Sequence, residues 1–122
     1  MHRGMKDADG LPETGTSSRT LGARPGAPPK GDIPIEDGVV RPGHGMSVAP
    51  DDPLNLPPHR RPPEFGGTGK DPVWEIYEDE LGPNLIFDQD SPSHGTVQPN
   101  TDITWDEYLR ALHETADRWR KK

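Results

Sequence analysis

The sequence predicts a small, irregular, loop-rich α+β domain with short strands and one C-terminal amphipathic helix, preceded by a disordered N-terminal arm. Three observations lead there. Sixteen prolines and fourteen glycines among 122 residues interrupt the chain too often for long regular elements. The apolar clusters left between them are short and rich in β-branched and aromatic side chains, as strands are. Only the last stretch carries a helical repeat.

Taken in order, residues 1–31 hold five Lys/Arg and three Asp/Glu, no aromatic, and no period of 2 or 3.6. The stretch 24–31 (RPGAPPKG) reads as an extended linker, so the whole of 1–31 is expected to be disordered. Residues 11–15 (LPETG) match a sortase sorting signal, but no apolar span and basic tail follow, so the match is read as chance. The domain proper is assigned to 32–122. Ile33 and Ile35, then Val39 and Val40, sit between Pro and Gly and suit short edge strands. A Gly-rich turn at 43–45 leads into a strand at Ser47. Six prolines between Pro50 and Pro63 exclude regular helix and central strand there. Val73 to Tyr77 alternates apolar and polar residues and is the strongest strand; 85–87 and 94–98 are two more. Thr104 and Glu107 then form a capping box, and Trp105, Tyr108, Leu109, Leu112, Ala116 and Trp119 trace one face of a helix of about 16 residues. Its apolar stripe is expected to pack on a sheet face made by Val73, Ile76 or Trp74 with Leu85 and Phe87.

Composition excludes several classes. No apolar run approaches the roughly 20 residues needed to span a bilayer. Zero cysteines exclude a disulfide scaffold and any thiolate metal site. No apolar segment of a secretory signal lies within 1–30, so cytoplasmic synthesis is expected, with delivery by a secretion system that reads another signal left open. The net charge of −7 disfavours nucleic-acid binding. Residues 32–100 carry four Lys/Arg against thirteen Asp/Glu, so the acidity is concentrated in the body.

The local motifs are weak when taken singly. Residues 66–70 (GGTGK) resemble a phosphate loop, but Asp71-Pro72 follows where a Ser or Thr is needed for magnesium and where a helix should start. No two of the five histidines share metal-ligand spacing, so no metal site is expected. His94 lies among small residues that let a ligand approach the backbone. Arg41, before a Gly-rich turn, and Ser47, opening a strand, suit a phosphate or a ribose. Arg60-Arg61 in the proline-rich loop reads as a solvated pair. The run 78–80 (EDE) is too compact for paired catalytic carboxylates, whose environments must differ.

The order of the pieces is more specific than any one of them. Residues 37–51 (DGVVRPGHGMSVAPD) precede a proline-rich loop, a Gly-rich turn, an extended segment, residues 93–99 (SHGTVQP), and a terminal helix ending in Trp119 and basic residues. This arrangement, over about residues 32–120, resembles the small bacterial type VI secretion toxins with an ADP-ribosyltransferase-like fold, a family with fungal relatives. The resemblance implies a compact NAD-binding body. It places Ser47 at the family's small-hydroxyl position and His94 and Thr96 at its His-x-Thr position, all three as catalytic residues. Arg41 is implied beside Ser47 and His94 as a cofactor-binding group for an NAD phosphate. An immunity or target protein is the implied partner. Two features depart from the pattern: Met46 stands where the toxin motif has a further hydroxyl, and no catalytic glutamate is assignable beyond Glu75 or Glu78. Two other readings compete. One is a non-catalytic acidic protein-interaction module on the same scaffold. The other is a ribonuclease-type toxin using His94 as general base, which the acidic body opposes.

Overall fold

The computed structural model describes residues 1–122. Ten short strands appear in chain order: β1 His2–Gly4, β2 Asp7–Ala8, β3 Leu11–Pro12, β4 Val39–Val40, β5 Met46–Val48, β6 Val73–Glu75, β7 Leu85–Ser91, β8 His94–Pro99, β9 Ile103–Thr104 and β10 Arg120–Lys121. One helix, α1, spans Trp105–His113. Two antiparallel three-stranded sheets form, in the orders β1-β6-β10 and β5-β8-β7, with two-stranded ribbons β2-β3 and β4-β9 beside them. The α+β class follows from these elements. Ile33 and Ile35 form no strand; Ile33 makes only single bridges to Pro25 and Gly26 and is fully buried.

The disordered arm expected at 1–31 is overturned. Strand β1 pairs with β6 through His2↔Glu75, Arg3↔Trp74 and Gly4↔Val73, and His2 also bridges Ala49. Met5, Leu21 and Ala23 lie in the main core with Val40, Met46, Trp74 and Tyr108. The arm has no period because it is neither an amphipathic helix nor a long strand. Its order comes from partners distant in sequence. The Trp74 indole donates to the Met5 carbonyl at 2.8 Å, and Met5 N–H donates to Pro72 at 3.2 Å. A bidentate Arg19–Asp71 pair fixes the far end of the arm. Such an exposed pair contributes under about 1 kcal/mol, so burial rather than charge holds the arm down.

The six-proline loop becomes three single turns of 3-10 helix, Pro53–Asn55, Pro58–Arg60 and Pro63–Phe65, each opening on proline. Proline suits that first position because the missing N–H has no helical partner there. The capping box forms as expected: Thr104 accepts from Glu107 N–H at 3.1 Å, and Glu107 accepts from Thr104 N–H at 3.0 Å. The helix is shorter than its apolar repeat predicts. It ends at His113, continues as a 3-10 turn Ala116–Arg118, and leaves as β10. The buried Thr115 hydroxyl, off the helical repeat, explains the change: it donates to Leu112 and accepts from the Trp119 indole. Trp119 is thereby buried in the core while Arg120 and Lys121 pair with β6. The helix's buried face shares one core cluster with Trp74, Ile76 and Leu85, but its nearest strands are β4 and β9 rather than β6 and β7, and Val73 faces a separate small cluster with Ala49 and Leu56.

Two outcomes follow from the docked arm. Met5 is fully buried, so Met5→Ala should cost about 2–5 kcal/mol in urea unfolding, against a few tenths for a residue in a solvated tail. His2 is buried with Nε2 at 3.0 Å from Glu75 and Nδ1 without a partner. Burial, then the nearby amino terminus, holds its imidazole below the ordinary range against the opposing pull of Glu75. The unfolded chain therefore takes up that proton first as the pH falls. This contribution to stability is complete above about pH 6.5 and is lost below it. Unfolding midpoints should decline from about pH 7 to about pH 5, and His2→Asn should flatten that slope.

Candidate functional site

Strands β5 and β8 bring Ser47 opposite Thr96 and Val48 opposite Gly95. Alternation sends Met46 and Val48 into the core and leaves Ser47 half-buried on the other face, beside Thr96. His94 opens β8, and its Nδ1 lies 2.8 Å from the Asp90 carboxylate. A cavity of about 250 Å³ is lined by Ser47 and His94 together with Arg3, Asp32, Asn55 and Arg60. Thr96 stands next to Ser47 without lining the cavity, its hydroxyl accepting from Gln98 at 2.9 Å.

Two interactions hold Ser47. Tyr108, buried from α1, donates its hydroxyl to Val97 at 2.6 Å and accepts from Met46 N–H at 2.9 Å. It thereby relays a hydrogen bond across the β5–β8 seam. Glycine is required at 45, where a Cβ would run into the Val97 carbonyl. From the other side, Arg3 Nη1 donates to the Ser47 carbonyl at 2.7 Å.

Arg3 also sets the field of the cavity. It is 6% exposed, and its other bonds go to the carbonyls of Thr20, Ser17 and Gly22. No carboxylate pairs with it. Burial lowers its pKa to about 10, which still leaves it charged at neutral pH. Arg24, by contrast, is neutralised by Asp32, which accepts from its guanidinium at 3.0 and 3.4 Å and from its backbone N–H at 2.8 Å. Burial acts to raise the Asp32 pKa, but the hydrogen bonds from Arg24 outweigh it and hold the carboxylate below its ordinary range. Arg60 has no hydrogen bond or ion pair from its side chain. Arg61 is structural: it donates to Leu56 at 2.8 Å and Phe65 at 2.5 Å.

The remaining residues singled out by the sequence lie elsewhere. Arg41 is exposed, pairs with Glu36 at 2.5 Å and Asp102 at 3.5 Å, and borders a different cavity with Pro34, Pro42 and His44. It does not line the cavity of Ser47 and His94. Glu75 is tied to His2 and Lys122, and Glu78 is exposed in a 3-10 turn, so neither lines the cavity. Asp32 is the only carboxylate that does. The Gly-rich turn at 66–69 packs its backbone against Arg61 and His59, away from the cavity. No three His, Asp or Glu side chains are grouped to hold a metal ion. No helix is long and apolar enough to cross a membrane. The cationic half of the site, Arg3 and Arg60, escaped the sequence reading. Arg3 lies in a patternless arm, and the Arg60-Arg61 pair gives no local sign that one member is structural and the other free.

A family model described as Tse2 ADP-ribosyltransferase toxin matches residues 1–122. No curated protein and no solved structure matches the chain.

The seam itself is testable. Tyr108→Phe removes the relay and leaves the buried Met46 N–H without its partner, which should cost about 1–3 kcal/mol in urea unfolding. A cost under a few tenths would show that the seam closes without the hydroxyl.

Proposed function

The chain belongs to the Tse2 ADP-ribosyltransferase toxin family, whose model spans it from end to end, and from that premise we propose that it binds NAD at the Ser47–His94 cavity and transfers the ADP-ribosyl group to an acceptor inside a target cell. In this reading the α+β body is an ADP-ribosyltransferase-like fold, delivered through type VI secretion and acting in the target cytoplasm. An immunity protein in the producing cell is its natural partner.

One observation carries the proposal: two guanidiniums without carboxylate partners border the cavity that holds Ser47 and His94, in a chain of net charge −7. Such a cavity favours a compact anion, and the diphosphate of a dinucleotide is one. The volume of about 250 Å³ suits one half of a dinucleotide, with the rest reaching out over the rim.

Bound NAD supplies a glycosidic bond to a cationic nicotinamide leaving group. The protein side of the reaction is positioning and proton transfer. Ser47, on a strand clamped by Arg3 and Tyr108, offers a hydroxyl to the nicotinamide ribose from a fixed position. Thr96 places a second hydroxyl on the same sheet face. Asp90 orients the His94 ring through Nδ1 and leaves Nε2 without a protein partner. An Nε2 lone pair can take a proton from an incoming acceptor. This assigns acceptor activation to His94, because no glutamate lines the cavity and Asp32 is occupied by Arg24.

Titration with NAD followed by thermal unfolding tests the reading. At a hundredfold over the dissociation constant, NAD should stabilise the fold by about 2.7 kcal/mol. Ser47→Ala and His94→Ala should lose that gain while keeping the ligand-free unfolding midpoint, and they should relieve growth arrest when expressed in bacteria. Arg41→Ala should retain both the gain and the toxicity. An unchanged midpoint at millimolar NAD would sink the proposal.

A further inference from the structure

We infer that Arg60, presented by the proline-rich loop, is the residue that grips the diphosphate of the ligand. The inference rests on the NAD reading above and goes further by naming the anion-holding side chain. Three arginines reach the cavity, and their bonding separates them. Arg24 is committed to Asp32. Arg3 uses four of its five N–H groups on carbonyls, leaving one Nη1 hydrogen. Arg60 alone keeps its whole donor fork. It is half-buried, so its charge is partly desolvated before any ligand arrives.

The backbone beneath it is fixed. Arg60 closes the 3-10 turn Pro58–Arg60, with its N–H bonded to Pro57 at 2.9 Å. Thr68 N–H ties Pro58 at 2.9 Å, and Gly69 N–H ties Arg61 at 2.7 Å. On the inner side the Arg60 carbonyl packs on Gly4, where a Cβ would sit 2.6 Å away. With the loop backbone already fixed, binding has only the Arg60 rotamers left to order. Burial chiefly lowers the Arg3 pKa, and Arg60 is near enough to add a smaller lowering, so an anion placed between the two guanidiniums relieves that repulsion. A diphosphate carries acceptor oxygens on two phosphorus centres. It can engage the Arg60 fork on one and the field and spare hydrogen of Arg3 on the other.

Calorimetric titration with NAD, ADP-ribose, inorganic pyrophosphate and nicotinamide riboside, on the full chain and on Arg60→Gln, Arg60→Lys and Arg41→Gln, tests this. Arg60→Gln should weaken NAD, ADP-ribose and pyrophosphate by about tenfold to a hundredfold, the loss of one charge-assisted contact. It should leave nicotinamide riboside, which has no phosphate, unchanged. Arg60→Lys should recover part of the loss, and Arg41→Gln should behave as the unaltered chain. If Arg60→Gln binds NAD as tightly as the unaltered chain does, the assignment of Arg60 is wrong and the NAD reading stands. If pyrophosphate binds through Arg60 but NAD does not bind at all, the NAD reading fails and the anion site survives. If the unaltered chain binds none of the four, both fail.

Discussion

The structure depends on one buried guanidinium. Arg3 reaches from the first strand to the carbonyls of Ser17, Thr20 and Gly22 in the arm and to Ser47 on the opposite sheet. Burying such a charge is costly, and carbonyl oxygens offset the cost without neutralising it. A carboxylate in their place would stabilise the charge further and would cancel the field in the cavity. The arrangement therefore does two things at once. It fastens the arm to the body, and it leaves a fixed positive charge behind Ser47. Part of the arm is thus gathered around a polar hub, beside the buried Met5, Leu21 and Ala23 that pack it into the core.

From that hub the site is assembled in layers of decreasing rigidity. Ser47 sits on a strand whose neighbours Met46 and Val48 are buried and whose seam is closed by Tyr108. His94 stands at the start of the adjacent strand, where the ring is partly exposed and steered by one carboxylate. Arg60 comes from a loop whose prolines restrict it and whose backbone bonds close on themselves. The most fixed positions lie on strands, and the more open cavity residues lie at a strand end and in the loop beside it. This division is the one expected when a rigid scaffold carries a polar site.

Much of this was legible in the sequence where the signal is local. The capping box at Thr104 and Glu107 is a matter of spacing, and it forms as read. The strand patterns at Val73, Leu85 and His94 also appear, because alternation is a local property. The arm was illegible because Met5, Leu21 and Ala23 are buried by residues far along the chain, and no period records such contacts. The helix end was misread because Ala116 and Trp119 continue the apolar repeat, while a single threonine hydroxyl turns the backbone aside. At the site, Ser47, Thr96 and His94 fall on paired strands. Arg41 does not join them: it is paired with Glu36 and Asp102 and borders a different cavity. Chain proximity to a Gly-rich turn was a poor guide to which arginine faces the cavity.

The charge distribution also selects among anions. The chain carries a net charge of −7, so its surface as a whole opposes a polyanion that must lie along it. A nucleic-acid strand must run across that surface to reach His94, which disfavours the ribonuclease reading. A dinucleotide meets a different field. Its charge is confined to one diphosphate, and at physiological salt the outer carboxylates are screened beyond about 8 Å. Inside the cavity Arg3 is buried and screened much less. The same acidity that excludes long anions therefore leaves a short one free to enter, and that ligand gains most from a partly desolvated guanidinium. On the proposed reading, length of charge rather than charge itself is what separates the two ligands.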